Sequence, residues 1–210
     1  MDFNQCMFTG QASWFKEKKL GPSFGAITVK VDLPKFEFYR QLNDDHELVS
    51  IQKPILWLDI ATSYDRGRLQ DKEREFLSSL EKRPYIFCRD AKIKNWTPKT
   101  KDGEVPQTRF TLSTYANKVS TRETPYKPFN HALFSGKVMS NDYNGRILLE
   151  SSYRNVKTNT YETRKIPILN PAKNDPSIVN NKVVIIGQIC ATRPDNTDGL
   201  YVVSNDLVRY

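Results

Sequence analysis

Ile27, Val29 and Val31 alternate with Thr28 and Lys30, the period of two that marks a strand with one buried face. Similar runs recur along the chain. A first strand spans 3–15, and the charged Lys16–Pro22 stretch after it reads as a loop by its Gly-Pro pair. Pro34 ends the second strand, and Phe36–Arg40 reads as a third, hairpin-paired to the second. Residues 41–53 are polar, and the apolar run 55–60 fits either a strand or a buried turn. The period then changes. Leu69, Phe76, Leu77 and Leu80 share one side of a helix over 68–82, which Pro84 stops. Strands four and five follow at 85–93 and 108–119, separated by a loop over 96–107 rich in Pro and Gly. Residues 120–128 carry two prolines and no apolar period, as a linker would. Five more strands follow at 133–140, 146–154, 161–169, 182–191 and 200–208. Asn144-Gly145 is a hairpin turn between the first two, and 170–180 shows no helical period.

The two halves echo each other. Phe8-Thr9-Gly10 matches Phe134-Ser135-Gly136, and Gly25-Ala26-Ile27 matches Gly145-Arg146-Ile147. Pro84–Cys88 parallels Lys182–Ile186, and Arg109–Leu112 parallels Leu200–Val203. The expectation is an all-β chain with one helix, built as two tandem five-stranded barrels. The units are 1–119, with the helix as an end plug, and 129–210, joined by 120–128.

Charge and composition narrow what such barrels can do. The 210 residues carry a net charge of +8, with the surplus spread over both halves, and 11% are aromatic. Positive charge with many rings suits a surface that meets phosphates and stacks bases. Trp14, Phe15, Lys16, Lys18 and Lys19 stand between strands one and two. Lys92, Lys94, Trp96, Lys99, Lys101 and Arg109 cluster around the second Trp-bearing loop. Phe38 and Tyr39 on the third strand, and Tyr153, Arg154, Tyr161 and Lys165 in the second unit, complete the candidate nucleic-acid contacts. The competing explanation is a solvated, lysine-rich surface with the rings packed inward.

Catalytic and metal chemistry find little support. Cys6, Cys88 and Cys190 are far apart and form no Cys-x-x-Cys, and there are only two histidines. There is no phosphate-binding loop and no nucleophile elbow. Lys101-Asp102-Gly103 approaches a ligase motif, but Thr100 stands where its lysine belongs. A non-enzymatic protein without metal or cofactor is expected. The sparse cysteines suit a reducing compartment, and the first residues lack the pattern of a secretory leader. No apolar run approaches the roughly 20 residues that span a bilayer, so a cytoplasmic location without membrane contact is expected.

The strand order, with a helix between strands three and four, is that of an OB-fold. With the Phe-Thr-Gly and Phe-Ser-Gly repeats and the basic aromatic loops, the chain resembles OB-fold single-stranded DNA-binding proteins, especially those of phages and mobile elements. The resemblance implies sequence-independent coating of single-stranded DNA in replication or recombination, with replication or recombination proteins as partners. The sequence does not fix the oligomeric state, although an exposed barrel strand offers pairing between identical chains. The resemblance also implies that the loops joining strands one to two and four to five flank the bound strand. The chain departs from the pattern by ending Asn205-Asp206-Leu207-Val208-Arg209-Tyr210, without an acidic tail. The alternatives are RNA as ligand, since stacking does not separate the two polymers, and a protein-binding adaptor or inhibitor of a host complex that uses a groove or strand edge.

Overall fold

The computed structural model describes residues 2–34, 40–42, 48–50, 55–96, 109–141, 146–155, 158–169, 175–193 and 196–209. The first ring of strands is built from β1 (Asn4–Lys19), β2 (Phe24–Asp32), β5 (Ile55–Asp65), β7 (Tyr85–Trp96) and β8 (Arg109–Tyr115). Each pairs with its neighbour, β5 meets β8 in parallel, and β7 returns to β1, so the ring closes. Closure removes free sheet edges and requires one face of every strand to point inward. Ile27, Val29 and Val31 on β2 and Leu56, Leu58 and Ile60 on β5 supply that face, all essentially without solvent contact.

The third strand of the ring is a correction to the sequence reading. It is β5, and β2 pairs with it rather than with Phe36–Arg40. Leu56, Leu58 and Ile60 alternate with Trp57 and Asp59, which is the pattern of a half-buried strand rather than a turn. Within the earlier segment, β3 (Arg40–Leu42) and β4 (Leu48–Ser50) form a separate small hairpin, while 36–39 lie outside the described residues. A second correction concerns 16–19. These residues continue β1 as far as Lys19, opposite Gly25, and the chain turns only after them. Two paired strands can extend past a barrel end into water, where lysines are well tolerated.

The helix α1 (Asp71–Leu80) is shorter than 68–82 because Arg68–Leu69 form β6, folded back onto β5. Its Phe76 and Leu80 are buried in the core. After β8, a 3-10 turn at Ala116–Lys118 leads into β9 (Val119–Arg122), which pairs with β7, so the start of the expected linker is ordered strand.

The second ring comprises β10 (Asn130–Asn141), β11 (Arg146–Asn155), β12 (Thr160–Leu169), β13 (Lys182–Arg193) and β14 (Asn196–Arg209). It closes in the same order, again with one parallel pair, β12 with β14. Between β12 and β13 the described residues contain only a 3-10 turn, Pro176–Ile178. No helix among the described residues is long and apolar enough to cross a membrane. All three cysteines are buried, and burial pushes the Cys88 thiol up to about 11, so they serve as packing groups.

The two rings share an antiparallel seam between β1 and β10. Asn4 lies opposite Phe134, Phe8 opposite Asn130, and Cys6 opposite Ala132 at the centre. The register is therefore the same read from either ring. The repeated triplets explain why. Phe8 and Phe134 are fully buried, and replacing either by alanine would cost about 3–5 kcal/mol. The Thr9 hydroxyl accepts the Phe129 N–H at 2.9 Å, and the Ser135 hydroxyl accepts the Phe3 N–H at 2.7 Å. Each ring thus holds the chain entering the other. A Cβ on Gly10 would stand 2.7 Å from the Asp32 carbonyl oxygen, and one on Gly136 would overlap that of Glu150. These glycines let the next strand cross closely.

Candidate nucleic-acid interface

A β-bulge between Ala12 and Trp14 resets β1. Beyond it, Trp14 pairs with Lys30, Lys16 with Thr28, and Lys18 with Ala26. On β2 the buried set is Ile27, Val29 and Val31, so these partners face outward. β5 extends each row, with Trp57 opposite Lys30, Asp59 opposite Thr28 and Ala61 opposite Ala26. One outward face thus carries the row Trp14–Lys30–Trp57 and, beside it, Lys16–Thr28–Asp59. Trp14, 45% exposed, meets Trp57 edge to face, with ring centres 5.4 Å apart. The Lys30 ammonium stands 6.0 Å from the Trp57 ring. The Thr28 hydroxyl donates to Asp59 at 2.7 Å. Exposed indole with an ammonium alongside can stack a base and meet its phosphate.

A seam of cations leads from this face to the second ring. Lys94 on β7 is half-buried. Burial first, then the charge of Arg164 on β12, hold its ammonium below the ordinary lysine range; Asp59 opposes the fall and Lys92 adds to it. The Lys165 N–H donates to the Asn95 side chain at 3.3 Å, joining β12 to β7. The Arg164 guanidinium lies 3.5 Å from the centre of the Tyr153 ring. The Tyr153 hydroxyl donates to Glu162, whose other oxygen accepts from Asn155 at 2.6 Å. Burial and Glu162 raise the Tyr153 phenol above its ordinary value, while these two donors hold the Glu162 carboxyl low.

The structure brings together some of the sequence candidates and separates others. Trp14, Lys16 and Lys18 share the outward face. Phe15 points the other way and packs against the core. Lys19 also lies off the face, with its ammonium 5.3 Å from the Tyr64 ring. Trp96 and Arg109 are backbone partners where β7 meets β8. In the second ring Arg154 pairs with Tyr161, which is 71% exposed, and Lys165 follows on the same outward side. Tyr153 projects from the opposite side. Phe38, Tyr39, Lys99 and Lys101 lie outside the described residues. Sequence reasoning missed Lys30, Trp57 and Arg164. Strict alternation through 55–60 would have placed Trp57 outward.

No family model and no curated protein sequence matches the chain. Solved structures do match. The wild-type single-stranded DNA-binding protein from Thermus aquaticus aligns with a TM-score of 0.63 and 11% identity, over 100% of this chain and 93% of that one. A deletion variant of the same protein gives the same score and identity, over 100% of this chain and 95% of its own. The fold is the OB-fold, twice over. In such barrels the face of strands two and three is a binding surface for oligonucleotides or oligosaccharides; the second and third strands of the first ring are β2 and β5.

Proposed function

We propose that the protein binds single-stranded DNA without sequence preference and without catalysis, and coats it during replication or recombination. The observation that carries this reading is the Trp14–Lys30–Trp57 row on the outward β2–β5 face of the first barrel. Its chemistry is that of base stacking beside phosphate neutralisation. The solved neighbours with this fold are themselves named as single-stranded DNA-binding proteins. The units 1–119 and 129–210 act together in this reading. The strand crosses from Trp14 and Trp57 over Lys94 and Arg164 toward Tyr153, Arg154 and Tyr161.

Quenching of tryptophan fluorescence by oligo-dT, oligo-dA and a duplex tests the proposal. Both single strands should quench, the duplex should bind more weakly, and log affinity should fall with log salt by about 0.7 for each phosphate contacted. Absence of quenching and of any mobility shift with either single strand refutes it.

A further inference from the structure

We propose that a second cationic surface, built from the far end of β1 and the β5–β6 turn, carries phosphates of the same strand beyond the stacking row. This rests on the function proposed above and deepens it by assigning the strand's path off the barrel face.

β1 continues past Trp14 through Lys16, Lys18 and Lys19, and at about 3.3 Å per residue Lys18 stands roughly 13 Å beyond Trp14. Glu17 is the only acidic residue of this tip; its carboxylate accepts the Tyr64 hydroxyl and offsets one of the three lysine charges, so the tip stays net positive. Lys19 rests over the Tyr64 ring, and its ammonium lies 3.7 Å from where a Cβ on Gly67 would be. The tip of β1 and the β5–β6 turn are therefore neighbours.

The turn is held firmly. Arg66 and Gly67 adopt φ of 47° and 81°, the left-handed pair of a tight hairpin, closed by Tyr64 opposite Leu69 and Asp65 opposite Arg68. A non-glycine residue stays there only where its surroundings fix it. Beside the turn opens a concavity of about 900 Å³ whose charged lining is Asp65, Arg66, Arg68, Asp71, Lys72 and Arg74. Asp71 is taken up by Arg74 at 3.0 Å. Among the described residues Arg66, Arg68 and Lys72 have no ion pair, and only Asp65 offsets them. Asp71 and Glu73 already occupy the first turn of α1, so the attraction comes from side chains rather than the helix dipole. An open basin beside the turn that Lys19 approaches suits a chain of phosphates better than a single small anion.

The test compares the wild type with an Arg66→Gln/Arg68→Gln/Lys72→Gln variant on labelled oligo-dT of about 6 and about 45 nucleotides, lengths below and above what two OB barrels cover at about 4–16 nucleotides each. The short oligonucleotide should bind both proteins equally. The long one should bind the variant roughly tenfold more weakly at low salt, with a log–log salt slope smaller by about 2. An Arg68→Gln/Lys72→Gln variant, which leaves the strained turn intact, should move both readouts in the same direction. Unchanged affinity and slope for the long oligonucleotide in both variants overturn the proposal. A wild type that binds neither length overturns the proposed function and this path with it.

Discussion

The two barrels share their joinery and differ in their surfaces. Asn4 donates to the Ile93 carbonyl at 2.9 Å and accepts the Ile93 N–H at 3.0 Å. Asn130 makes the same pair of bonds with Ile189, at 3.0 Å each. Even the bulge recurs, between Ala12 and Trp14 in one barrel and between Val138 and Ser140 in the other. The row after the bulge then diverges. Trp14–Lys30–Trp57 in the first barrel corresponds to Ser140–Leu148–Pro167 in the second. Buried bonds and close backbone crossings resist change because each loss costs about 1–3 kcal/mol. An outward row carries no such penalty and can acquire or lose a ligand site. The second barrel's rings and cations gather instead at the far end of its β11–β12 hairpin.

Breaking the divergent row should have the largest effect. Trp14→Ala and Trp57→Ala should each weaken binding of oligo-dT by about 1–3 kcal/mol, the value of one base stack, or roughly fivefold to 150-fold. The equivalent changes in the second barrel, Ser140→Ala and Pro167→Ala, should leave affinity within about twofold, because no stacking ring is lost. Fluorescence anisotropy of a labelled oligonucleotide measures both. Equal losses in the two barrels would remove the distinction between them.

Breaking the shared joinery should affect stability and spare the stacking row. Asn4→Ala strands the buried Ile93 N–H and C=O, and Asn130→Ala does the same to Ile189. Each should lower unfolding free energy by about 1–3 kcal/mol in urea titrations. The two losses should be similar, since the bonds are, and oligo-dT affinity of the folded protein should not change. A much larger loss at one site would mean that the seam leans on one barrel. Smaller still is the seam of cations. Lys94→Ala or Arg164→Ala should reduce the log–log salt slope by about 0.7, one phosphate each.

The same contrast explains what could be read from the chain. Strand periodicity, the helix and the duplication were legible because core alternation is a local signal, as in Ile27–Val31. The Phe-Thr-Gly and Phe-Ser-Gly echo was visible, but its cause was not: the hydroxyls act on Phe129 and Phe3, which lie far along the chain. The third strand was misplaced because Phe36–Arg40 carries strong β-formers, whereas 55–60 alternates just as well and also supplies Leu56, Leu58 and Ile60 to the core. Trp57 was lost with that strand. Lys30 sat in plain alternation, but only pairing with Trp14 and Trp57 gives it a role. Arg164 meets Lys94 through tertiary packing, which no local pattern announces.

The smallest expected effect concerns a feature both barrels possess in different places. Tyr64 donates to Glu17 in the first, and Tyr153 donates to Glu162 in the second. In both, burial is the larger cause that raises the phenol and the carboxylate the next; Arg164 partly offsets the rise at Tyr153. A phenol raised in the folded state stabilises the protein fully below about pH 10, its ordinary value. That contribution is lost as pH climbs through the raised value. Ultraviolet titration of phenolate should therefore show Tyr64 and Tyr153 ionising above the ordinary phenol value. Glu17→Gln should bring Tyr64 only part of the way back, because burial remains, and should leave Tyr153 where it was. If Glu17→Gln returned Tyr64 fully to the ordinary phenol value, the carboxylate rather than burial would be the dominant cause.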